Sequence, residues 1–165
     1  MSEGQVATLL LWLVLLAFSL NASLLRTLHA NPLYQHLCLG SAIVLVPLWT
    51  LRAGLHEGLE IHFLGLTSLT LLLGWRLALL APCLTLLILG AFGVTDLAEF
   101  GWQALIGIAL PVATSWLLFL GSWAWLPRHL FVYLFVAAFL GGALSISIKI
   151  LASALLMGLS GAYPW

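Results

Sequence analysis

The densest group of side chains able to do chemistry lies in the run Arg52-Ala-Gly-Leu-His56-Glu57-Gly-Leu-Glu60-Ile-His62. Imidazole nitrogens and carboxylate oxygens together suit a divalent first-row metal ion. Glu60 and His62 stand two residues apart, so they cannot share a helical face. A chelate therefore needs extended or unwound backbone, which Gly54 and Gly58 permit. The spacing matches no standard zinc motif, and a solvated polar loop with interfacial histidines is the competing reading. His62, His56, Glu57 and Glu60 are the candidate metal ligands. A second pair of acids, Asp96 and Glu99, lies between later apolar runs, where carboxylates attract cations.

Other chemistries find fewer parts. Ser145 precedes Lys149 by one helical turn, the spacing of a Ser/Lys nucleophilic dyad, but nothing else in the chain supports a protease. Lys149 reads instead as a lysine that snorkels to a membrane boundary. There is no G-x-x-x-x-G-K-[ST] phosphate loop, no G-x-S-x-G elbow and no H-E-x-x-H helix. Haem would need histidines facing each other within spans, whereas His29 and His129 fall in turns and His36 at a span end. Cys38 and Cys83 sit in apolar runs without metal-ligand spacing and read as packing residues. Gly65, Thr67, Ser68 and Thr70, and the small-xxx-small pairs Ala138/Gly142 and Gly141/Ser145, predict close helix contacts.

These groups must be positioned by membrane helices. Of the 165 residues 64% are hydrophobic and 6% charged, against about a quarter charged in soluble domains. Net charge is zero, which provides no basic surface for nucleic acid. Since a bilayer span takes roughly 20 residues, the length allows about six spans and no soluble domain. The apolar runs predict an all-α polytopic membrane protein, one domain over 1–165, with spans at 6–25, 33–51, 58–74, 77–93, 102–125 and 130–158. The first run lacks a basic leader and reads as a retained helix. The third reaches span length only if it begins near Gly58, which draws Glu60 and His62 into the outer membrane, where an ionisable group reads as functional. Gly74-Trp75-Arg76 reads as a tight interfacial turn between the third and fourth spans.

With six spans, Arg26, Arg76 and Arg128 share one side with His29 and His129. Arg52 and all five acids, Glu3, Glu57, Glu60, Asp96 and Glu99, lie on the other. Arginine retention on the cytoplasmic side places the N-terminus outside, and the outer mouth is ringed with carboxylates.

The stretch Leu59-Glu-Ile-His62-Phe-Leu-Gly65-Leu-Thr67-Ser-Leu-Thr70-Leu-Leu-Leu-Gly74-Trp75 resembles the metal-binding segment of energy-coupling-factor (ECF) ABC transporter permeases of the cobalt/nickel, cobalamin-biosynthesis M type. Gly101-Trp-Gln-Ala-Leu with Leu110-Pro111-Val and Ser115 resembles that family's fifth span, and Phe131 to Leu144 its penultimate helix. The similarity runs from about Gln35 onward, closest to a shorter branch, and the order of the motifs carries more weight than any one of them.

The resemblance implies an ECF substrate-binding-component-like bundle in a bacterial-type inner membrane. It implies a permease component for uptake of a transition-metal cation, nickel, cobalt or another, with no covalently bound cofactor. A separate coupling transmembrane subunit and cytoplasmic ATPases would supply the energy. His62 matches the family's ligand histidine, and the helix around Gly141-Gly142 would pack on the coupling partner or the site helix. Metal-transporting members begin Met-His and chelate with that histidine; this chain begins Met1-Ser2-Glu3-Gly4. It also ends at Tyr163-Pro164-Trp165, where members usually continue into a further helix. Both departures favour the alternative, a non-transporting structural subunit of a membrane complex that keeps the permease fold.

Overall fold

The computed structural model describes residues 3–50, 65–95, 100–125 and 129–159. They form six helices and nothing else regular: α1 (Glu3–Ser19), α2 (Ala22–Ala30), α3 (Pro32–Thr50), α4 (Leu66–Ala91), α5 (Phe100–Trp125) and α6 (residues 130–159). Pro32–Thr50, Phe100–Trp125 and Leu130–Leu155 are each long and apolar enough to cross a membrane, and Leu66–Ala91 matches them in length and composition although Gly74 divides it. The pair α1–α2, bent by 61°, is a fifth candidate if it counts as one span.

The stretch expected as the first span, 6–25, is divided between two helices. Asn21 has extended backbone (φ −79°, ψ 163°) and its side-chain oxygen accepts from the Leu24 amide at 3.1 Å, so it caps a new helix. The corner is held from outside as well. Ser19 Oγ donates to the Arg76 carbonyl (3.3 Å), and an Arg76 guanidinium nitrogen donates to Asn21 Oδ1 (3.2 Å). α2 stops at Asn31, and Pro32 opens α3 in the first turn, where its missing N–H costs nothing.

α4 is not one rod. Gly74 has φ 79°, ψ 162° inside it, a conformation essentially confined to glycine. A straight helix would hold residues 65 and 85 about 30 Å apart. Yet a Cβ on Gly65 would lie 3.4 Å from Leu45, while Thr85 Oγ1 donates to the Ala42 carbonyl at 3.1 Å. Ala42 and Leu45 are separated by only about 4.5 Å of helix rise. The chain therefore reverses at Gly74, and residues 66–73 and 75–91 run back along the same face of α3. The Gly-Trp-Arg turn of the sequence is where this reversal occurs.

α5 and α6 are continuous helices with wider π-helical stretches at Leu105–Ala109 and Tyr133–Leu140. The first lies directly before Pro111, which has no N–H to donate. α5 packs against α4 and α6, α3 against α4, and α1 against the start of α5. At that last contact a Cβ on buried Gly101 would sit 2.5 Å from the Leu9 amide nitrogen, so two backbones touch with no side chain between them. The core gathers Trp12, Trp49, Leu86, Leu89, Ile108 and Val112. Cys38 and Cys83 are buried, unpaired thiols in it. Outside, Leu72, Phe92, Leu117, Leu130 and Phe139 are exposed, an apolar surface far beyond what water tolerates on a monomer.

Candidate functional site

A cavity of about 170 Å³ opens where α4 begins, lined by Gly65, Thr67, Ser68, Pro111, Ala138, Gly142, Ser145 and Lys149 with neighbouring aliphatic side chains. Three elements build it. Gly65, with φ 90°, is the left-handed residue from which the first arm of α4 starts. α5 contributes Pro111, and α6 presents Ala138, Gly142 and Ser145 along one face.

A chain of hydroxyls ties the three together. Thr67 Oγ1 lies 2.9 Å from Ser115 Oγ, and Ser115 Oγ lies 2.8 Å from Ser145 Oγ. Ser115 and Ser145 are fully buried. Ser145 Oγ also sits 2.7 Å from the Gly141 carbonyl and 3.3 Å from that of Pro111. Carbonyls only accept, so the single Ser145 proton is committed to them. Ser115 then donates to Ser145, and Thr67 donates to Ser115. The direction is fixed along the whole chain, and Thr67 Oγ1 is left to act as an acceptor toward the cavity.

That geometry decides several of the sequence readings. Ser145 is bound by its own helix and by α5, which is the arrangement of a packing hydroxyl. The seam on α6 meets Thr67: a Cβ on Gly141 would stand 3.8 Å from its methyl group, and one on Gly142 4.0 Å from its hydroxyl. These are ordinary van der Waals distances, so the contact is looser than the small-xxx-small pattern predicts. The backbone-on-backbone approach lies at Gly101 instead. Lys149 is half-buried and lines the cavity beside the start of α4.

The candidate ligands His62, His56, Glu57 and Glu60, and the acids Asp96 and Glu99, lie outside the described residues. Among the described residues no group of three or more His, Cys, Asp or Glu side chains could hold a metal ion. Sequence reasoning took Thr67 for a packing residue and found Ser115 only within a family motif. Their pairing spans 48 positions, and no local signal joins them.

A second cleft, about 290 Å³, lies at the opposite end of the first arm of α4, between Leu24, Leu28, Tyr34, Trp75, Arg76 and Trp116. Arg76 stacks on the Trp75 ring, 5.2 Å from its centroid. This is the aromatic-and-arginine combination of a headgroup boundary, and it places the α1–α2 corner and the Gly74 reversal at one end of the bundle.

No curated protein and no solved structure matches the chain. Residues 3–165 match the family CbiM, the cobalt uptake substrate-specific transmembrane region. The all-helical, multi-pass architecture agrees with that match. The chain thus belongs to the CbiM family, as a membrane-embedded substrate-specific component of cobalt uptake and not an enzyme.

Proposed function

We propose that this chain captures the cobalt ion with His62 as a ligand and with His56, Glu57 and Glu60 as co-ligands. The match over residues 3–165 to a cobalt uptake family carries the reading. The sequence supplies the donors: these four residues are the only run of imidazoles and carboxylates so closely spaced in the chain. Chain length adds support. His62 is three residues from Gly65, and three residues of backbone reach at most about 11 Å. In sequence, His62 thus stands close to Gly65, which lines the cavity.

Asp96 and Glu99 act at longer range, raising the local concentration of cations at the mouth. Energy comes from partners, a coupling transmembrane subunit and cytoplasmic ATPases, in a bacterial-type inner membrane. The arginine distribution supports an N-terminus on the outer side. The Asn21–Arg76 bond supports the same alternation, because it brings the end of the first apolar run to the arginine-bearing turn after Gly74.

The test is elemental mass spectrometry on the full chain purified in detergent, with His62→Ala purified alongside. Stoichiometric cobalt in the parent and none in the variant is the expected outcome. Equal cobalt in both would remove His62 from the site. Co-purification from membranes should bring down an ATPase and a second membrane subunit; a structural subunit would bring down other proteins without metal.

A further inference from the structure

In the cleft of about 290 Å³ at the Gly74 reversal, Arg76 meets no carboxylate among the described residues. Its guanidinium group is fixed on two sides. Nη1 donates to Asn21 Oδ1 at 3.2 Å, and the group lies over the Trp75 ring, which itself stacks on Phe18 with 6.4 Å between centroids. Among the described residues Glu3 is the only acid. It opens α1, whereas Ser19, which donates to the Arg76 carbonyl, closes that helix about 24 Å of rise away. A guanidinium carries five N–H donors, and the bond to Asn21 uses one of them. Those left form a planar fork suited to a phosphate.

The walls are of another kind. Leu24 and Leu28 of α2, Leu73 of α4 and Trp116 of α5 are apolar, and Tyr34 of α3 adds a ring with a hydroxyl. Leu24, Thr27 and Leu28 share one face of α2, being three and four residues apart, while Arg26 and His29 are exposed. A short helix with leucines inward and cations outward, at one end of a membrane bundle, belongs to the headgroup layer. Leu72 and Leu117, sequence neighbours of lining residues, are exposed, so apolar surface for acyl chains lies beside the cleft.

This combination selects among phosphates. A free phosphate ion would set most of its oxygens against leucine and tryptophan, where unpaired polar atoms are costly. A phospholipid presents its phosphate to the guanidinium and its chains to the apolar walls. A zwitterionic headgroup would add an ammonium group, which Arg76 and Arg26 repel and for which the described residues hold no carboxylate nearby.

We propose that this cleft binds one anionic phospholipid of the phosphatidylglycerol class, with Arg76 taking the headgroup phosphate. The lipid touches α2, α3, α4 and α5 together and so pins the α1–α2 corner and the Gly74 reversal at headgroup depth. Nothing in this depends on where cobalt is held.

Native mass spectrometry of the full chain in detergent tests it, by titration with phosphatidylglycerol, phosphatidylcholine or inorganic phosphate. The parent should retain one phosphatidylglycerol, roughly tenfold more tightly than phosphatidylcholine, and inorganic phosphate should not displace it. Arg76→Gln should weaken phosphatidylglycerol binding roughly tenfold. Because Arg76 also holds the corner, Tyr34→Glu is the second variant. It puts a carboxylate in the cleft without removing either partner of the Asn21–Arg76 bond, and should weaken the lipid by a similar factor. Arg26→Gln, on the exposed side of α2, should change binding by less than about twofold. Equal binding of the two lipids, displacement by inorganic phosphate, or parent-like binding in a folded Arg76→Gln or Tyr34→Glu overturns the proposal. So does an equal loss in Arg26→Gln, which would make the attraction one of diffuse charge.

Discussion

A hydroxyl inside a bilayer has few partners, and most of those here use the carbonyl one turn back: Thr70 on Leu66, Thr114 on Leu110 and Ser147 on Ala143. Ser115 differs, since its hydroxyl joins two other helices. Ser115→Ala leaves a donor on Thr67 and an acceptor on Ser145 without their partner. Such interhelical bonds are worth roughly 0.6 to 1.7 kcal/mol in membranes, and unfolding in detergent should report a loss of that size. Ser147→Ala, exposed and bonded only to its own helix, should be neutral in the same measurement. At this scale the sequence showed which residues were small and polar, but not which would meet. Ala138, Gly142 and Ser145 could be placed on one face by counting turns. Thr67 and Ser115 could not be paired, because a bond across 48 residues depends on how α4 reverses. The proposed ligands His56 to His62 were legible from residue type and spacing alone.

Among the elements, three glycines separate backbone need from side-chain room. Gly74→Ala puts a Cβ into a conformation that costs about 1–3 kcal/mol and should loosen the reversal of α4. Gly101→Ala forces a methyl group against the Leu9 backbone, overpacking of the kind that costs about 1–3 kcal/mol. Gly121 has nothing within 4 Å of a built Cβ, so Gly121→Ala should stabilise α5 by about 0.5–1 kcal/mol. Thermal midpoints of the three purified variants give the ordering. The Gly74 turn was readable because glycine, tryptophan and arginine coincide at one boundary. The break in the first apolar run was not, since hydropathy continues unbroken through Leu20 and only Asn21 marks a cap. Nor was the contact at Gly101, because the glycine lies at the start of a span and its partner is plain backbone of α1.

For the whole molecule, the exterior of the described residues is what composition led one to expect, a broad apolar surface, with Arg76 at the end where the α1–α2 corner meets the Gly74 reversal. Charge acts at this scale too. Asp96→Asn should slow cobalt capture severalfold at low ionic strength and leave the equilibrium affinity nearly unchanged. The difference should vanish as salt shortens the Debye length to about 8 Å at physiological strength, and stopped-flow cobalt binding at two salt concentrations measures it. Finally, the π-helical winding of Tyr133–Leu140 makes α6 a helix that counts its residues. Were the same residues to rewind as ordinary α-helix, the residue that the wide turns absorb would pass into the register and turn everything after it by about 100°. Gly142, Ser145 and Lys149 would swing together from the cavity toward lipid, although no side chain at the site had changed. This segment can therefore exchange one apolar residue for another only where the wide winding is kept.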